Sequence, residues 1–433
     1  MADIAEETPA AAVSVNIRSR WRMLHRVPVH VREEKKHVFE PVVVPLGPYH
    51  RRLHPQSQLL EPLKDAVQDM VCKLERTDRK SFLLSKICER IDEIRHFYGG
   101  ADGYTDEELA EIMLRDACFL VFNMLPKTFP VIRQNLGMYG MLFMARDMYM
   151  LENQIPLWLI PLIHPQPSFL CKYLSSNVFG DYRMTQLPWE NGGGEEPLHL
   201  LEAFHRTFLS LVPTPENSRD GGNNFSRLIN KYNQPRPKKE GSRRTLWQSL
   251  NNPFQSATDL KAKGIHFRRS SHCLTDIKFF SFALYAELHL PLFNITNNSK
   301  TFFSNIIAFE MSPETDTDYG VTSYFNFMKT LIHSANDVKV LREKGVLYSR
   351  LASDEEVVEM FKSIDTYGYS KHGLLDEVKM RIEEHCSSKA KTWMADLINT
   401  KFQSPWTVIA LAAAAFLLAL TVVQTYYTIN PTN

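Results

Sequence analysis

The chain of 433 residues predicts a mainly α-helical protein: one large helical domain with a small antiparallel β element, then one C-terminal transmembrane helix. Three observations carry that expectation. Apolar residues recur every three or four positions through most of the chain, the period of a helix with one buried face. Thr105 with Glu108 and Ser353 with Glu356 have the spacing of capping boxes, in which each residue satisfies the other's backbone N–H at a helix start. Trp406 to Val423 carries no charge. About 18 residues at ~1.5 Å rise make roughly 27 Å of helix, close to the ~30 Å of a bilayer's hydrocarbon core.

Taken in order, residues 1–26 read as a disordered, alanine-rich tail and 27–403 as the domain. Val42, Val43 and Val44 stand between Pro41 and Pro45, and each proline removes a donor and restricts its predecessor, so only a short extended piece fits. Gly47-Pro48 marks a turn. Leu59, Leu63, Val67, Met70 and Leu74 form the apolar face of a first long helix, and Leu84, Ile87, Ile91, Ile94 and Tyr98 that of a second, closed by Gly99-Gly100. A third begins at Thr105 and runs through Leu109, Ile112, Met113, Cys118, Phe119 and Phe122. The segment from Met138 to Ile163 is the most apolar inside the domain. Arg146, Asp147, Glu152, Asn153 and Gln154 would be costly in lipid, so it reads as a helix buried in the core, broken or kinked at the Glu152-Asn153-Gln154 triplet by Pro156.

A helix follows over Leu198–Leu211. Residues 213–245 are poor in large apolar side chains and rich in Asn, Gly, Pro, Lys and Arg, and read as a disordered surface loop. Ser256 caps a short helix that Gly264 ends. Alternation of Phe280, Phe282 and Leu284, and of Leu288, Leu290 and Leu292, gives the antiparallel sheet. Helices resume through Phe303, Ile306 and Ile307, through Val321 to Ile332, after Ser353, and from Leu374 to Asn399. Residues 404–433 form the anchor, with Leu411, Phe416 and Leu420 in lipid and Trp406 and Tyr426 in the headgroup layers.

Composition excludes several functions. With 50 basic and 49 acidic residues the formal charge is +1, which gives no electrostatic case for nucleic acid. The cluster Arg236, Lys238, Lys239, Arg243 and Arg244 lacks interleaved aromatics and reads as solvated loop. The six cysteines are scattered, never in CxxC spacing, as in a reducing compartment. Residues 1–15 carry three acidic side chains and no apolar core, unlike a secretory signal. A terminal span without a signal inserts after synthesis, the tail-anchored arrangement. Lys389, Lys391 and Lys401 precede it, so the domain is expected in the cytoplasm of a plasma-membrane or endomembrane protein. The sequons at Asn224, Asn294 and Asn297 would matter only if the domain were luminal.

No Walker loop, GxSxG, HExxH or GxGxxG occurs, so no catalytic, cofactor or metal residue is assigned. His25, His30, His37, His50 and His54 have no metal-ligand spacing. Asp116, Asp147 and Glu152, within apolar stretches, could be a general acid and base. The favoured reading joins them to Asn153 and Gln154 in a buried polar network, with Arg115 or Arg146 compensating charge.

The fragments RVPVHVR, PVVVPLGPYHRR, RDACFLVFNML, RDMYMLENQIP, SATDLKAKGIHF, FFSNIIAFE, DVKVLREKGVL and SPWTVIALAAAAFLLALTVVQTYY, in this order, resemble the plant family called domain of unknown function 247, with a departure at Pro45 and Leu46. The resemblance spans Val27 to Tyr427. It implies a helical domain, a single C-terminal membrane helix and no established enzymatic activity; some grass members are implicated in pollen self-incompatibility with small secreted proteins. The expected function is therefore protein–protein recognition or signalling at a membrane, through lipid at the C-terminal helix and an unidentified protein partner. A membrane-associated enzyme with an unfamiliar carboxylate site and a passive scaffold are the competing readings.

Overall fold

The computed structural model describes residues 22–429 apart from 52–56, 74–78, 102, 167, 181–183, 191–194, 211–254, 271–272, 283–284, 314, 316, 370–374 and 389–404. The basic loop and Asn224 therefore lie outside the described residues, as do His54 and Leu74. The chain enters the core earlier than the sequence suggested. Leu24 is 1 % exposed and donates its N–H to Phe97 O at 2.8 Å, so residues 22–26 pack with the domain.

Two short helices, α1 (Val29–Glu34) and α2 (Lys36–Phe39), precede the irregular stretch 40–51. Then come α3 (Ser57–Lys73), α4 (Arg79–Cys88), α5 (Ile91–Phe97) and α6 (Asp106–Met124). At the start of α6 the Thr105–Glu108 capping box is complete. The helix is buried on almost every side, from Leu109 through Met113, Ala117 and Phe119 to Phe122, which marks a core helix, not a surface one. Against it pack α3, α4 and α8 (Leu159–Ile163). On α3 the buried face is Leu60, Lys64, Val67 and Gln68, with Met70 46 % exposed, a rotation from the face the apolar pattern marked. Lys64 and Gln68 turn inward because α6 supplies them with polar partners.

The apolar segment after α6 departs from expectation. Helix α7 (Phe129–Asp147) ends before the Glu152-Asn153-Gln154 triplet, is broken at Gly137 (φ 64), and leaves much of its apolar surface to solvent. Residues 148–153 are turns and irregular backbone, and Pro156 bridges to His199. The triplet thus closes a helix; it does not kink one. Then α9 (Ser168–Phe179) and α10 (Leu200–Leu209) follow.

After α11 (Ala257–Ala262), whose Ser256–Asp259 capping box is complete, the strands are β1 (Ile265–Arg269), β2 (Lys278–Ser281), β3 (Ala286–Leu290) and β4 (Phe293–Ile295). The sheet is mixed, not antiparallel. Its order is β1-β3-β2, with β1 parallel and β2 antiparallel to β3, while β4 pairs in parallel with β5 (Leu347–Ser349). Gly264 (φ 77) turns α11 directly into β1, which therefore enters alongside β3 in the same direction. On β2 the buried ring is Phe279, one residue out of phase with the expected face, and a one-residue slip exchanges every inward side chain.

The remaining helices are α12 (Ser299–Glu310), α13 (Gly320–Leu331), α14 (Ala335–Glu343), α15 (Asp354–Ser363), α16 (Asp376–Ser387) and α17 (Pro405–Ile429). Phe293 of β4 joins them, its ring 5.1 Å from Phe303, 5.3 Å from Tyr324 and 5.9 Å from Phe361 between centroids. Ser353 accepts the Glu356 N–H as an N-cap, while the Glu356 carboxylate reaches back to Ala352 N. In α17 the side chains described are Ile409 and 413–426, all exposed, including Phe416, Leu420 and Tyr426; those of Trp406 and Leu411 lie outside the described residues. Among the described residues no helix is long and apolar enough to cross a membrane, so the expected C-terminal span is not supported there.

Candidate functional site

Residues 42–47 belong to no helix or ladder, yet Val44 and Leu46 are buried, so their backbone groups need other partners. Side chains provide them. One oxygen of Asp147 accepts the N–H groups of Val42, Val43 and Val44 at 2.9, 2.6 and 2.9 Å. Asn153 accepts the Leu46 N–H at 2.6 Å and donates to Val44 O at 2.8 Å. Asp116 accepts from Gly47 N at 2.8 Å and from Lys64 Nζ at 2.6 Å, and the same ammonium donates to Pro45 O at 2.6 Å. From the exposed Val42 to the buried Val44 and Leu46, the stretch is led into the core on a rail of side chains.

The triplet serves a second purpose, closing α7. Asn153 donates to Asp147 O at 2.9 Å, and Gln154 donates to Met148 O and Met150 O at 2.9 and 2.8 Å, covering carbonyls left without intrahelical partners. Gln154 also accepts from Leu201 N at 3.1 Å, and its own carbonyl receives the Tyr98 hydroxyl at 2.9 Å. Glu152 accepts Val27 N at 2.9 Å and pairs with Arg32 at 2.9 Å and Arg26 at 3.3 Å. Asn305 of α12 joins the network, accepting from Leu151 N at 2.8 Å and donating to Val38 O at 2.9 Å.

All five sequence-selected residues, Asp116, Asp147, Glu152, Asn153 and Gln154, are at most 2 % exposed. The charge partners are in part those expected: Arg146 faces Asp147, but Arg115 does not serve Asp116. Lys64 and Arg51 face Asp116, whereas Arg115 binds Glu61; Arg146 stands 3.9 Å from Asp147. Burial pushes the Asp147 carboxyl above its ordinary value, against the opposing pull of the three valine N–H groups and Arg146. Burial likewise raises Tyr98 well above the usual phenol range and Tyr49 to about 12. Such groups hold backbone and are poorly placed to exchange protons with a substrate.

Two concavities lie elsewhere. One of about 460 Å³ is walled by residues 26–39, 300–313 and 363–367, and a second covers Arg51, Glu111 and Arg115. Neither is lined by Asp116, Asp147 or Glu152. His30 and His37 line the first. Among the described residues no group of three or more His, Cys, Asp and Glu is placed to hold a metal ion.

Among the described residues of the domain, the highest exposure of a large apolar side chain is on α7. Beyond the break at Gly137, Tyr139 is 81 % exposed, Leu142 55 %, Met138 53 % and Phe143 37 %, while Met144 on the opposite side is buried. These residues occupy neighbouring positions at one, three and four residue spacings, hence one face.

The family model described as a plant protein of unknown function, DUF247, matches residues 24–420. The putative UPF0481 protein At3g02645 of Arabidopsis thaliana is 24 % identical over 470 residues, covering 90 % of this chain and 86 % of its own. The UPF0481 protein At3g47200 of the same plant is 23 % identical over 417 residues, covering 93 % and 85 %. No solved structure matches.

Proposed function

The chain belongs to the DUF247 family of plant proteins of unknown function, and on that premise we propose that it is a single-pass, tail-anchored membrane protein whose helical domain recognises a protein partner through α7. The observation that carries this reading is the exposed face of Met138, Tyr139, Leu142 and Phe143. Water-facing clusters of large apolar side chains on a stable domain mark contact surfaces, and tyrosine is prominent among residues that anchor them. The Asp147 and Asn153 contacts hold the base of α7 to the core, so the face is presented on a fixed support.

The anchor is supported by the uncharged run Trp406–Val423 and by the helical Pro405–Ile429 around it. The lysines at 389, 391 and 401 favour a cytoplasmic domain. Pollen self-recognition is one instance of this class of function, and family likeness alone supports it. A photo-crosslinking amino acid at Tyr139, in the full chain in its native membrane, tests the reading. The expected result is one protein adduct, lost in a Leu142→Asp, Phe143→Asp variant of unchanged melting temperature. Adducts to lipid alone, or adducts indifferent to the double substitution, would overturn it.

A further inference from the structure

The 460 Å³ cavity has the chemistry of a ligand site. Three stretches distant in sequence wall it, and each is held by contacts that do not depend on an occupant. α2 is fastened to α12 by Asn305, which donates to Val38 O at 2.9 Å. The loop after α15 is tied back by Asp365, which accepts the Tyr367 N–H at 2.8 Å and pairs with Lys35 at 3.2 Å. That contact holds Tyr367 at φ 50, a left-handed conformation a tyrosine seldom adopts, with its ring 5.8 Å from the Lys35 ammonium. Strain of this kind collects where a loop must present a side chain to a ligand.

The lining is apolar in its body and cationic in its polar part. Val31, Phe39 and Met311 offer hydrocarbon, while Arg26, Lys35 and Lys300 stand against one carboxylate, Asp365. Arg26 is engaged by Glu152 and Lys35 by Asp365. Among the described residues no hydrogen bond or ion pair holds Lys300, and it is half-buried at the cavity wall. A single uncommitted ammonium beside an apolar lining matches a monoanion with a hydrocarbon body better than a phosphate, which wants several donors or a forked arginine. The volume lies within the ~300–1,000 Å³ usual for small-molecule sites.

We propose that this cavity binds a small free organic acid, its carboxylate held by Lys300 and its aromatic or alicyclic body against Val31, Phe39 and Met311. The site is separate from α7, so it stands or falls independently of partner recognition. The test uses the full chain in lipid nanodiscs, with 2-naphthoate and its neutral amide as probes in isothermal titration calorimetry. The expected result is saturable one-to-one binding of naphthoate, at least tenfold tighter than the amide. Lys300→Glu should weaken naphthoate at least tenfold, and Ala308→Trp, which fills the cavity, should abolish binding, both at unchanged melting temperature. Tyr139→Asp should bind as the parent does, which excludes α7 as the source of the signal. Equal affinity for acid and amide, parental affinity in Lys300→Glu, or no naphthoate binding at millimolar concentration would overturn the proposal. Binding of phosphatidate vesicles without naphthoate binding would do so as well.

Discussion

Asn153 ties two parts of the network together with one side chain. It accepts from Leu46 N and donates to Val44 O and Asp147 O, so it joins the irregular stretch to the end of α7. Asn153→Ala would strand two buried backbone groups, Leu46 N and Val44 O, each costing about 1–3 kcal/mol if left unpaired, while Asp147 O keeps the Met150 N–H. A large fall in melting temperature, read by circular dichroism on the purified chain, is the expected outcome; an unchanged curve would count against the network. Asp147 separates charge from acceptance. Asp147→Asn keeps an oxygen for Val42, Val43 and Val44 and should be mild, whereas Asp147→Ala removes it and should cost at least as much as Asn153→Ala. If the two Asp147 variants unfold alike, the negative charge, not the acceptor, supplies the stability. The existence of a buried polar network was legible from carboxylates and amides set in apolar runs. Its partners were not, because Lys64 is read by pattern as a solvent-facing lysine and only the α6 neighbour Asp116 gives it reason to turn inward. The stretch Pro41-Val-Val-Val-Pro45 did contain the complementary hint, since valines confined between prolines, the last of them buried, still need acceptors for three N–H groups.

Elements depend on the same polar matching at their ends. His199 is the N-cap of α10, its Nδ1 accepting the Glu202 N–H at 3.1 Å, which requires the neutral ring. Burial, aided by Arg22, holds it down at about 4, below its ordinary 6.5, although Glu202 pulls the other way. Between those values the unfolded chain binds a proton that the folded chain refuses. Stability therefore rises with pH across that window and is lost as pH falls from 6.5 toward 4, by about 3 kcal/mol from linkage. His199→Asn, a good cap that does not titrate, should flatten this part of the stability profile in urea unfolding between pH 4 and 7. A parental slope in that variant would assign the loss elsewhere. Glu310 contributes in the same direction. Burial would raise its carboxyl, but His205 at 2.8 Å and the Thr322 hydroxyl and N–H outweigh that and hold it lower, so its share is lost as pH falls through the carboxylate range. On α7 the break lies at Gly137, whose φ of 64 is open to glycine and where an added Cβ would meet no neighbour. With ψ at −177 this is a conformation nearly restricted to glycine, so Gly137→Ala should cost about 1–3 kcal/mol, through backbone strain alone, while shifting the direction of Tyr139. Helix existence and most caps could be read from period and capping boxes. The exposed half of α7 could not, because apolar content alone cannot distinguish a core helix from a presented one.

At the scale of the whole molecule, a packed domain turns apolar side chains of α7 outward, and those described on α17 are exposed as well. The first belongs to a domain fixed by its own core; the second follows residues 389–404, which lie outside the described part. If α17 is an anchor and α7 a protein contact, the two must separate under truncation. A chain ending at Gln403 should move to the soluble fraction, keep the melting temperature of the domain, and keep the Tyr139 crosslink when the partner is supplied. Continued resistance to carbonate extraction would show that α7 itself binds membrane, since it is the remaining large apolar surface described. The same experiment bears on topology. Asn294 lies exposed on β4 and Asn297 exposed just beyond it, so both would be reachable by the glycosylation machinery if the domain entered a lumen. A cytoplasmic domain predicts no mobility shift on glycosidase treatment and full protease sensitivity in intact microsomes. A glycan at either asparagine, or a protected domain, would invert the orientation and place the α7 partner on the luminal or extracellular side.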